Sequence, residues 1–193
     1  MKRMIQWESI HELNAFRILD ANPEVRAFHE QPCEIRFILN GERRRHYPDI
    51  LVETYCAKEF WEIKPKAEAQ KDKVVERSKL LTQTLPDLGY QYRVVHGEDL
   101  ARSDRLRNVK LLLSQGRAEV PGAIREYIRQ VVTSCGSVSM KKMLDASQGF
   151  LKREHLYSLI LCGDLNVNIE QPFSDDMLLS PRFLHGLNGK GVS

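Results

Sequence analysis

The chain has 193 residues, 42% of them hydrophobic and 28% charged. That balance is ordinary for a globular protein and leaves room for one medium domain or two small ones. A net charge of +3 is too small to argue for nucleic acid on its own, so any DNA contact has to rest on local patches. No apolar run approaches the ~20 residues of a membrane span. The N-terminus turns polar too early for a secretory leader, so a cytoplasmic protein with no membrane contact is expected.

In chain order, residues 6–20 place Ile10, Leu13, Phe16 and Leu19 on one stripe, which predicts an amphipathic helix ended by Asn22-Pro23. Residues around His29 to Pro32 read as a loop. Ile35, Phe37 and Leu39 alternate as a strand closed by the Asn40-Gly41 turn. The stretches YPDILVE and EFWEIK follow as two more strands, and the three together are expected to form an antiparallel meander. Residues 67–85 predict a helix with Val74, Leu81 and Leu85 inward, stopped by Pro86 and Gly89. Residues 90–95 read as a fourth strand, set parallel to the third by the intervening helix. Residues 100–113 predict a further helix.

Gln115-Gly116 and Pro121-Gly122 mark a boundary. Beyond it come three helices, carrying Ile124 to Val131, Met140 to Ala146 and Phe150 to Leu161. A small hairpin follows, with Leu165, Val167 and Ile169 alternating and Met177 to Leu179 returning. That order is the order of a winged helix. The expected division is therefore a mixed-sheet α/β domain over 1–116, a winged-helix-like domain over 117–181 and a frayed tail over 182–193. Cys33, Cys56, Cys135 and Cys162 are widely spaced, with no C-x-x-C pair. Free, mostly buried thiols are expected rather than zinc ligands.

The chemistry is concentrated between Arg43 and Lys66. Asp49 follows Pro48, and thirteen positions later Glu62 opens E-I-K with Lys64. Residues two apart on a strand share a face, so Glu62 and Lys64 project together while Trp61 and Ile63 face the other way. Carboxylates on adjacent strands suit a hard divalent cation, and a lysine beside them can orient a water or offset phosphate charge. P-D followed by E-x-K on paired strands is a pattern of metal-dependent nucleases; exposed strand charges are the plainer alternative. Ser9 to Glu12 also reads as a capping box, in which Glu12 would serve the helix terminus, with Glu8 as a substitute carboxylate. Arg43, Arg44, Arg45 and His46 lead toward Asp49 as candidate phosphate contacts. Lys152 and Arg153 begin the third helix of the second domain, where a helix-turn-helix protein would read DNA. His29, His96 and His185 lack partners at ligand spacing.

At these residues the chain resembles the TnsA endonuclease family, the subunit of heteromeric transposases that cuts at the 5′ ends of the element. The resemblance is carried by Ser9 to Glu12, Leu19 to Pro23, Glu30 to Ile35, the YPDILVE and EIKP strands and Asp104 to Leu113. It implies a restriction-endonuclease-like core in which Glu12, Asp49 and Glu62 hold one or two Mg²⁺ ions, with Mn²⁺ able to substitute, and Lys64 is the catalytic lysine. It also implies double-stranded DNA at element ends as substrate, a TnsB-like DDE transposase as partner, and docking of the C-terminal domain to the ATPase regulator TnsC. A stand-alone restriction or repair nuclease, and a non-enzymatic winged-helix DNA-binding adaptor, are the alternatives.

Overall fold

The computed structural model describes residues 9–182, apart from the side chain of Ser103. Glu8, His185 and the tail beyond Arg182 lie outside the described residues. By its internal packing the chain divides into two units, 1–109 and 110–193.

The first unit opens with helix α1 (Ile10–Asp20), capped by the Ser9 hydroxyl, which accepts from the Glu12 amide. Strand β1 (Val25–Glu30) follows, then β2 (Ile35–Leu39), β3 (Glu42–His46), β4 (Ile50–Thr54) and β5 (Lys58–Lys64). Helices α2 (Lys66–Ala69) and α3 (Asp72–Thr84) and a 3-10 turn (Leu85–Leu88) lead to β6 (Gln91–His96) and the one-turn helix α4 (Gly97–Leu100). The main sheet has the order β1-β4-β5-β6. β4 is antiparallel to β1 and β5, and β6 is parallel to β5. The parallel crossover is the one the sequence pattern predicts, and α3 supplies it.

The meander does not form. Asn40 and Gly41 have φ of 53° and 80°, the two positive values that a tight hairpin turn requires. They return the chain not into β4 but into β3, whose sequence ERRRH has no apolar alternation to betray a strand. β2 and β3 pair only with each other, as a separate ribbon. The partner of β4 is instead β1, at the place expected to be loop. A bulge between Val25 and Ala27 breaks its alternation.

Phe60 of β5 packs with Leu81, Leu85 and Tyr92, and Ile35 and Phe37 of the ribbon close over this cluster. α1 packs on β1, β5 and α4 and contributes Ala15, Phe16, Ile18 and Leu19 to the buried interior. Helix α5 (Ser103–Gln115) contains the division between the units.

The second unit contains α6 (Gly122–Cys135), α7 (Met140–Ala146) and α8 (Arg153–Leu161), with short strands β7 (Val138–Ser139), β8 (Leu165–Asn166) and β9 (Leu178–Pro181) in the order β7-β9-β8. Its core is built on Leu112, Ile128, Met140, Met143, Leu156 and Leu179. All four cysteines are free but exposed, contrary to the expectation of burial. Cys56 sits in the turn between β4 and β5, and Cys135 and Cys162 end helices, so none lies on a core stripe. Among the described residues no helix is long and apolar enough to cross a membrane.

Candidate active site

The site is built where β4 begins and β5 ends. Asp49 stands one residue before β4, and its Oδ2 accepts a hydrogen bond from the Ile63 amide of β5 at 2.6 Å. That bond ties the residue that follows Pro48, between β3 and β4, to β5. It also fixes the carboxylate beside Glu62 and Lys64, which share one face of β5. The Lys64 ammonium lies 3.1 Å from Glu62 Oε1 and 3.9 Å from Asp49 Oδ2.

Glu62 is only 2% exposed, and a buried carboxylate needs cations around it. Arg77 of α3 donates to Oε1 at 2.9 Å. His46, at the end of β3, brings Nε2 to 3.0 Å from Oε2, while the same Nε2 meets the Tyr92 hydroxyl of β6 at 3.1 Å. Oε2 is buried, and the His46 ring is its neighbour there. Burial alone would raise the Glu62 pKa. His46, Lys64 and Arg77 outweigh it and hold the group below its usual value.

Asp49 behaves in the opposite way. Burial first, and the Glu62 charge second, push it from 3.8 up to about 6, against the pull of the Ile63 amide and Lys64. Lys64 is itself raised: burial, which alone would lower it, is overcome by Asp49 and Glu62. The lysine therefore remains an ammonium at neutral pH. Tyr92 is raised by burial and then by Glu62, and remains a neutral phenol able to donate.

Glu12 on α1 is close enough for its charge to add to the rise at Asp49. Its Oε1 accepts from the Ser9 hydroxyl at 3.1 Å, so the capping interaction is made through Ser9's side chain rather than its backbone. Among the described residues no group of three or more His, Cys, Asp and Glu side chains is placed to hold a metal as it stands. The pair Asp49 and Glu62 nonetheless suits a divalent cation. The Glu62 charge raises the cost of ionising Asp49, Glu62 Oε2 is buried with only the His46 ring named beside it, and Mg²⁺ usually takes only one or two carboxylates.

The structure thus brings Asp49, Glu62 and Lys64 together. Arg43 and Arg45 lie on one face of the ribbon and Arg44 on the other, beside Glu42. Lys152 caps α8, and Arg153 pairs with Asp175; both belong to the second unit. Arg77 and Tyr92 carry no local motif, and only their place on α3 and β6 reveals them.

No curated protein matches the chain. Residues 22–97 match the family model of the TnsA-like endonuclease N-terminal domain, a segment that holds Asp49, Glu62 and the three residues that surround Glu62, His46, Lys64 and Arg77. The similarity of the chain to the TnsA-like endonuclease family is carried by this segment.

Proposed function

We propose that the protein is an Mg²⁺-dependent DNA endonuclease that hydrolyses phosphodiester bonds at the ends of a transposable element, in company with a DDE transposase. The observation that supports this reading is the Asp49–Glu62–Lys64 constellation across β4 and β5, inside the family-matched segment. Asp49 and Glu62 would hold the metal, with Glu12 as the third carboxylate. When bound, a divalent cation makes a water nucleophilic near neutral pH and offsets charge on the scissile phosphate.

The chain's own side chains then have distinct tasks. Lys64, kept protonated by the two carboxylates, holds a positive charge at the mouth of the site to orient water or phosphate. Arg77 and His46 keep Glu62 ionised and aimed. Asp49 would have to be ionised to hold a cation, since a ligand must be deprotonated. The ordering of α6, β7, α7, α8 and the β8–β9 pair supports a winged-helix reading of the second unit. Only the first turn of α8 is well exposed, Arg153 is held by Asp175, and Ser158 donates to the Ala118 carbonyl at 2.8 Å. We therefore assign that unit to docking the ATPase regulator rather than to reading bases.

The test is nicking of duplex DNA in Mg²⁺, with titration of Mn²⁺ into wild type and variants. Asp49→Ala and Glu62→Ala should abolish both cleavage and calorimetric Mn²⁺ binding while keeping the native circular-dichroism spectrum. Glu12→Ala decides whether that residue is ligand or cap. Undiminished nicking by Asp49→Ala would sink the assignment.

A further inference from the structure

We infer that the β2–β3 ribbon is the element that seats the duplex, lying in a DNA groove with one face only; this rests on the nuclease reading above. In an antiparallel pair, directly opposed residues share a face. The register pairs Arg36 with Arg45 and Ile38 with Arg43. One face of the ribbon therefore gathers Arg36, Arg43 and Arg45 around Ile38, which is 66% exposed. The other face carries Ile35, Phe37 and His46, packed inward.

Like charges directly opposed across a ribbon are unfavourable in the free protein. Arg36 is partly compensated, because Glu34 pairs with it. The same Glu34 is also taken by the Tyr47 hydroxyl. Among the described residues no carboxylate lies within ion-pair distance of Arg43 or Arg45. Arg43 and Arg45, with the paired Arg36 beside them and an exposed isoleucine between, make a narrow face that suits an occupant polyanionic along its edges and apolar between them. Duplex DNA has that chemistry, and its major groove, about 12 Å wide, admits a two-stranded ribbon.

The ribbon is also anchored as such a device requires. Its inner face is seated on Phe60, Leu81, Leu85 and Tyr92, and its last residue, His46, touches the Glu62 carboxylate. The arginine face is thus the outer face of the same ribbon whose inner face reaches the candidate active site through His46.

The test is binding of a fluorescein-labelled duplex in EDTA by fluorescence anisotropy, over a salt series, beside single-turnover cleavage in Mg²⁺. The Arg43→Ala/Arg45→Ala variant should lose at least about tenfold in affinity, and the slope of log K against log salt should flatten by about two, as expected for two lost phosphate contacts. Its cleavage should recover at saturating DNA, and its melting temperature should not fall, since a repulsion has been removed. Arg44→Ala, on the opposite face, should keep wild-type affinity and slope. Wild-type affinity and slope in the double variant would overturn the inference. The nuclease reading would survive that result if wild type cuts and Asp49→Ala does not. A wild-type protein that neither binds nor cuts duplex DNA would overturn both.

Discussion

Asp49 and Glu62 occupy one site but titrate in opposite senses, and the difference is testable without any substrate. Asp49 sits at about 6 in the folded protein against an ordinary 3.8. Folding therefore favours its protonated form: that stabilisation is complete below the ordinary value and is lost as pH rises through 6. In EDTA, Asp49→Asn should be more stable than wild type above pH 6, by up to roughly 3 kcal/mol, and show little gain near pH 4. Thermal melts across that range check it; a gain that persists unchanged at pH 4 would refute the burial argument. His46 is tested by its removal. His46→Ala strips the Tyr92 hydroxyl and a buried carboxylate of their shared neighbour, which should cost about 1–3 kcal/mol in urea unfolding. Asp49, Glu62 and Lys64 were legible in the sequence because strand periodicity alone places two of them on one face and a Pro-Asp step marks the third. Arg77 and Tyr92 were not legible. Their only claim on Glu62 is tertiary, made by a helix and a strand that arrive much later in the chain.

At the scale of elements, what the sequence concealed follows from the same cause. The 67–85 helix, α5 and the parallel β5–β6 pair show clear apolar periodicity and were readable, although Gln70 and Lys71 interrupt the first of these. β3 is held by its turn and its partner rather than by hydrophobic alternation, so its arginines looked like an approach to β4. β1 was hidden by its bulge. The junction of α1 with α4 rests on a close approach that only glycine permits. A Cβ on Gly97 would stand 2.3 Å from Cγ of the His11 ring, and a ring attached to a packed helix cannot yield that distance cheaply. Gly97→Ala should lower stability by about 1–3 kcal/mol. Because α1 also carries Glu12, it should reduce Mn²⁺ affinity as well. Chemical denaturation and metal titration on the same sample check both, and an unperturbed variant would show that α1 and α4 slide freely.

For the whole molecule, two cores imply two places where stability can be altered separately. If Asp49 and Glu62 hold the cation, saturating Mg²⁺ should raise the melting transition of the first unit alone, by about 2.7 kcal/mol at a hundredfold excess over Kd. Asp49→Ala should abolish that shift. Scanning calorimetry with and without metal reads it, and an equal shift in the variant would place the cation elsewhere.

The division of the chain within α5 has a consequence for inheritance. Val109, fully buried, falls in the first unit, while Leu112, one turn on, belongs to the second core. A cut after Gly116 would part Leu112 from the core it fills, and a cut at Lys110 would split a helix. Exchange of either half at that border is therefore expected to cost stability. A recombinant that replaces the second unit must bring its own version of the helix, so the two halves should be found varying together rather than shuffled.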